Sequence, residues 1–178
     1  PVHEPGVASL YQHVPFAQDA SYLSIGERTN ANGSKAFREA MLAENWDECV
    51  GIARGQTRDG AHLLDVNVDY VGRDGAADAQ AVVSRLNTAS TLPLVLDSTE
   101  PAVLQAGLEL CGGRPVVNSV NFEDGEGPAE ARMRLAKKHG AAVIALTIDE
   151  EGMAKTAGDK LRVARRLVGF ACGRFGLP

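Results

Sequence analysis

Five short apolar runs in this chain each stop on a hydrogen-bonding side chain, and that repetition constrains its fold more than any other feature. Tyr22-Leu23-Ser24-Ile25 leads to Gly26, Glu27 and Asn30, Leu63-Leu64 to Asp65-Val66-Asn67, and Leu94-Val95-Leu96 to Asp97-Ser98. Val116-Val117 leads to Asn118-Ser119, and Val143-Ile144-Ala145-Leu146-Thr147-Ile148 to Asp149. Such runs read as buried strands, whereas carboxylates and amides are costly inside a core and belong at a strand's open end. Strand starts near residues 22, 62, 92, 115 and 141 are separated by helical patterns, as right-handed βα units require. An α/β chain follows, with parallel strands whose carboxyl ends converge on one ligand. Periodicity alone leaves barrel and open sheet equally open.

The intervening segments carry helix punctuation. Asn32-Gly33-Ser34 predicts a turn and N-cap before a helix that stops near Asn45; Asp47 is the expected cap of a second helix, closed by Gly60. Residues 76–89 read as a third helix. Ser98 or Thr99 is the expected cap of a helix with Pro101 in its first turn and Gly112-Gly113 as terminator. Pro128 to His139 and Asp159 to Phe175 complete the set. Residues 69–75, with two glycines and several charges, read as a mobile loop over the strand ends. Residues 1–20 hold three prolines, two histidines and no sustained period, so they read as an irregular lead-in or interdomain linker.

Composition removes several functions. A formal net charge of −5 without a basic cluster argues against nucleic acid. Cys49, Cys111 and Cys172 are odd in number and lie in helical patterns, which suits reduced, buried thiols. No run approaches the ~20 apolar residues of a bilayer span and no secretory leader is visible, so the expectation is a soluble, cytoplasmic protein with no membrane partner. Phosphate-loop, GxGxxG and GxSxG motifs are missing, and no Cys or His pair has metal-ligand spacing, so no metal site is assigned. His62 and His139 read as structural, and Arg28 as a surface or ion-pairing group.

What remains is Glu27, Asn30, Asp65, Asn67, Asp97, Ser98, Asn118, Ser119 and Asp149, all expected on one face. Carboxylates and amides together offer acceptors and donors in a plane, which suits a flat, nitrogen-rich heterocycle. Ser98 also fits a plain helix cap and Asp149 a turn. Asp65 and Asp97 resist such readings, because each stands directly after apolar residues at a strand's rim, where an unpaired charge is costly.

Three stretches in order, Ile25-Gly26-Glu27-Arg28-Thr29-Asn30-Ala31-Asn32-Gly33-Ser34, Asp59-Gly60-Ala61-His62-Leu63-Leu64-Asp65-Val66-Asn67, and Val95-Leu96-Asp97-Ser98 with Val117-Asn118-Ser119, resemble the folate-binding domains of cobalamin-dependent methionine synthases. More distantly the chain resembles dihydropteroate synthase and other pterin-binding methyltransferases. The resemblance implies a (β/α)8 TIM barrel truncated after about the fifth βα unit, with residues 21–178 its N-terminal part and 1–20 the linker from a homocysteine-binding domain. It implies a methyltransferase that binds 5-methyltetrahydrofolate and presents its N5-methyl to cob(I)alamin, with cobalamin held on a separate domain of the same polypeptide. In that family's pattern Glu27, Asn30, Asp65, Asp97 and Asn118 fall on pterin-contacting positions, with Asn67 beside them; together with Ser98 and Asp149 from the strand ends these are the expected substrate-binding residues, and Asp97 and Asn118 the expected catalytic ones. The competing expectations are another pterin-dependent transferase, of the dihydropteroate synthase type, and a non-catalytic folate-binding module.

Overall fold

The computed structural model describes residues 4–19 and 22–178. Its centre is a five-stranded, all-parallel sheet in sequential order: β3 (Ile25–Gly26), β4 (Leu63–Val66), β5 (Leu94–Asp97), β6 (Val116–Val120) and β7 (Ala142–Ala145). Sequential parallel order with one crossover per strand is the construction of a (β/α)8 barrel, of which these are five consecutive units. Between the strands lie α1 (Lys35–Leu42) and α2 (Trp46–Arg58), α3 (Gly75–Ala89), α4 (Pro101–Leu108) and α5 (Glu126–Lys138). After β7 come a small antiparallel pair, β8 (Ile148–Asp149) and β9 (Gly152–Met153), and then α6 (Ala157–Val168), prolonged by a π-helical turn over Gly169–Arg174.

Side-chain alternation sorts each strand into two columns. Leu64, Val66, Leu94, Leu96 and Val117 point outward and pack under the helices with Phe37, Met41, Val82, Val83, Leu86 and Leu104. The inward column begins apolar, with Leu63, Val95, Val116 and Ala142 in one buried cluster. Two residues later on β4, β5 and β6 it becomes Asp65, Asp97 and Asn118. Register sets Asp97 beside Asn118, while Asp65 lies one level lower, beside Val95. The sheet is concave: Asn118 reaches Asp65 at 3.4 Å although β5 lies between them, where a flat sheet would hold their strands roughly 10 Å apart.

Several expectations are corrected. The first strand is Ile25–Gly26 alone, shorter than Tyr22–Ile25. The lead-in is not irregular: β1 (Gly6–Ala8) and β2 (His13–Pro15) form an antiparallel hairpin, whose Val7 and Val14 join the inward apolar cluster. The hairpin therefore closes the amino-terminal mouth of the sheet. Ala8 and Arg114 exchange backbone hydrogen bonds, and the Arg114 guanidinium donates to Gly6 O at 2.9 Å. The expected boundary between residues 20 and 21 lies outside the described residues. Asn45, rather than Asp47, caps α2 by accepting from Glu48 N. Glu100 precedes α4 without a side-chain cap, so neither Ser98 nor Thr99 has that place.

The three thiols are free; Cys49 and Cys111 are pushed up to about 11 and about 12 by burial, but Cys172 is exposed. His62 is structural, its Nδ1 accepting from Ser24 N at 2.9 Å, and Arg28 pairs with Asp59 at the surface. Among the described residues no helix is long and apolar enough to cross a membrane.

Candidate functional site

The polar ends of β3 to β6 meet in one hydrogen-bonded group built around amides that bridge carboxylates. Asn30 is its hinge: Nδ2 donates to Asp65 Oδ2 at 2.8 Å and to Asp97 Oδ2 at 3.0 Å, while Oδ1 accepts from the backbone of Asn32 and Gly33. With both faces of the amide occupied, its orientation is set and two carboxylates share one donor group. Asn67 repeats the arrangement. Its Oδ1 accepts from Asn32 Nδ2 and Asp69 N, which turns Nδ2 onto Asp97 Oδ2 at 3.2 Å.

The loop carrying Asn30 is fastened from beneath. Buried Gln56 accepts from Arg28 N at 2.7 Å and donates to Thr29 Oγ1 at 3.1 Å, and that hydroxyl donates to the Asp65 carbonyl at 2.5 Å. Gly26 makes room for this, since a Cβ there would lie 2.5 Å from Gln56 Oε1. Thr29 and Gln56 escaped sequence reasoning because a lone Gln in a helix carries no signal of what it reaches.

Burial dominates the electrostatics. Asp65, 3 % exposed, has its carboxyl raised to about 6, chiefly by desolvation and further by the charge of Asp97, against the hydrogen bonds from Asn30 and Asn118. Asp97 is raised for the same first reason, with the Asn67 and Asn30 amides opposing and the Asp69 and Glu27 charges adding. Glu27 is exposed at the end of β3, near enough to act on both carboxylates.

Asp97 differs from Asp65 in one respect. Both oxygens of Asp65 accept from amides, but the two donors to Asp97 fall on Oδ2, and Oδ1 receives no donor from the described residues. Asp97 and Asn67 line an open cleft of about 1000 Å³, whose other walls include Tyr70, Arg73, Glu100 and Val103.

Thus Glu27, Asn30, Asp65, Asn67, Asp97 and Asn118 come together as expected, while three residues make no hydrogen bond with them; of these Ser119 accepts from Asn121 Nδ2 at 3.4 Å. Ser98 faces the other way, is buried, and donates to Asp69. Asp149 is on the β8–β9 hairpin rather than at the end of a parallel strand, and there it accepts from Arg162 at 2.7 Å and from Glu151 N. Its one carboxylate is fully occupied in holding that hairpin to α6. Asp69 escapes sequence reasoning as well; its only mark in the sequence is a carboxylate two positions after Asn67.

Residues 26–178 match the family model described as pterin binding enzyme. The chain is 64% identical to the methionine synthase of Mycobacterium tuberculosis (strain ATCC 25618 / H37Rv) and 60% identical to that of Mycobacterium leprae (strain TN), in each case over 98% of this chain. It spans 15% of the length of each of those relatives. A solved dihydropteroate synthase of Xanthomonas albilineans, in complex with indole-2-carboxylic acid and 6-chloroguanine, superposes with a TM-score of 0.58 at 19% identity. It covers 86% of this chain, which in turn covers 54% of it, and at that identity the likeness is one of fold.

Proposed function

The chain belongs to the pterin-binding enzymes, and from that footing we propose that it binds 5-methyltetrahydrofolate at the carboxyl ends of β3 to β6 and offers its N5-methyl group to cob(I)alamin in methionine synthesis in the cytoplasm. Its similarity to two methionine synthases supports the choice of reaction. The observation that carries the reading is Asp97, which lines the cleft with Oδ2 held by two amides and Oδ1 receiving no donor from the described residues. A carboxylate so fixed is an acceptor waiting for a ring N–H. Asn118 stands beside it in register, its Nδ2 engaged by Asp65 and its Oδ1 without a donor among the described residues. The adjacent ring N–H and amino N–H donors of a pterin match those two acceptors.

Methyl transfer by in-line displacement asks two things of this chain. The ring must be held so that the methyl carbon faces its acceptor, and N5, a poor leaving group, must be protonated or strongly hydrogen-bonded. Cob(I)alamin supplies the nucleophile from a separate cobalamin-binding domain, and a homocysteine-binding domain of the same polypeptide is the other partner of this reading. Asp97, Asn118, Asn30 and Asn67 orient the ring, while Asp65, locked under two amides, holds Asn30 and Asn118 in place. Glu27, exposed at the end of β3, is a further contact for the ring, while Ser98 acts through Asp69. Positioned hydrogen bonding at N5 contributes roughly 10²- to 10⁴-fold.

Titration calorimetry of the intact protein with methyltetrahydrofolate tests the binding, and loss of cob(I)alamin absorbance tests the transfer. No binding would overturn the proposal. Binding without turnover would make this a folate-binding module instead.

A further inference from the structure

Arg132 lies on α5 among the buried Ala129, Met133 and Ala136, and is itself 7 % exposed. Arg73, Arg162, Arg166 and Arg174, all more exposed, each reach a carboxylate, whereas Arg132 pairs with none among the described residues. Its buried Nε has no hydrogen-bond partner there, and its guanidinium is held by one hydrogen bond, from Nη2 to the Thr99 carbonyl at 3.3 Å. A buried cation supported by a single carbonyl lowers stability relative to an apolar side chain of similar length. No ion pair therefore accounts for a charge at this position, and its one polar contact is with the wall of the cleft.

Thr99 stands two residues past Asp97 and lines the cleft with Glu100. Its C=O shares one rigid peptide plane with the N–H of Glu100, and that N–H donates to Ser98 Oγ at 3.0 Å. The plane is thus held at both ends, by Arg132 from α5 and by the same Ser98 that binds Asp69. Glu100 precedes α4 without a side-chain cap, so no capping group of its own fixes this turn. Resting on the pterin reading above, we propose that Arg132 is a positioning residue: through the Thr99 carbonyl it fixes the turn by which the chain leaves β5, and with it the Asp97 carboxylate that meets the ring, although its burial weakens the fold. Removing the guanidinium then separates two properties that loss of a structural ion pair would lower together.

Two variants of the intact protein test this. Arg132→Met keeps the length of the side chain and removes the donor. In the ligand-free protein it should quicken amide exchange over residues 100–104 and leave the thermal midpoint at or above that of wild type, while methyltetrahydrofolate should bind about ten-fold more weakly. Arg132→Lys, which keeps a charged donor for the Thr99 carbonyl, should recover most of the affinity and the slow exchange. A Met variant that loses stability along with affinity overturns the proposal and leaves Arg132 a structural group. Unchanged exchange over residues 100–104, unchanged affinity despite faster exchange, or a Lys variant no better than Met overturns it equally. If the wild-type protein binds no methyltetrahydrofolate, the pterin reading falls, and the exchange measurement alone decides whether Arg132 holds the turn.

Discussion

The Ser98 hydroxyl lies 2.9 Å from both carboxylate oxygens of Asp69 and at the same time accepts from Glu100 N at 3.0 Å. Two strand-end segments, after β4 and after β5, are joined by this one side chain. The effect reaches the cleft, because Asp69 N is a donor that orients Asn67, and Asn67 in turn holds Asp97. Ser98→Ala is therefore expected to lower stability by about 1–3 kcal/mol, the range for losing a hydrogen bond to a charged group, and to weaken folate binding less than loss of Asp97 does. Urea unfolding and calorimetry on the same preparation check both parts; a variant with full stability would remove Ser98 from this role.

Asp97→Ala should weaken methyltetrahydrofolate binding by about 1–3 kcal/mol with the fold intact, since ring donors and the Asn30 and Asn67 amides would lose a shared acceptor. Asn118→Ala, one strand over, should add to that loss less than additively, because both residues touch the same network. A folded Asp97→Ala protein with wild-type affinity would exclude Asp97 from the pocket.

Burial raises the Asp65 carboxyl from an ordinary 3.8 to about 6, and the sign of the consequence is opposite to that of an ion-paired acid. Below the ordinary value both folded and unfolded chains hold the proton. Between there and about 6 the unfolded chain releases it first and binds fewer protons, so stability falls as pH rises through that window and stays lower above it. Asp65→Asn should flatten this component. The difference in urea midpoint between wild type and variant, measured at about pH 4 and about pH 7, isolates it from depressed acids such as Glu150, which titrates at about 2. A difference independent of pH would contradict the argument.

Gly113 packs against the backbone of the hairpin. A Cβ there would sit 2.2 Å from the Ala8 carbonyl oxygen, and that atom belongs to backbone that cannot swing aside. Gly113→Ala should therefore unseat β1 and expose Val7 and Val14 together with Leu63, Val95, Val116 and Ala142 beneath them. The expected outcome is a loss of about 2–4 kcal/mol with new binding of a hydrophobic dye, because buried apolar contacts are surrendered along with two backbone hydrogen bonds. Unchanged stability would mean that the hairpin rests on the barrel without supporting it.

The sequence by itself determined the parallel strands of the main sheet and most of the polar cluster at their ends, because those properties follow from spacing of two along a strand. Leu63 and Asp65 on β4, with Asn67 just past its end, Val95 and Asp97 on β5, and Val116 and Asn118 on β6 alternate, so an apolar residue followed two places later by a polar one predicts a core that ends in a site. Only the tertiary structure decided what depends on residues far apart. Val7 and Val14 look like linker until Leu63, Val95 and Val116 give them something to bury against; Ser98 reads as a cap until Asp69, 29 positions away, accepts its hydrogen bond; Asp149 reads as a ligand until Arg162 claims it. Each is a polar or apolar group with several local options of similar energy, and the choice among them is made by a partner that chain folding brings within reach, which no local pattern records.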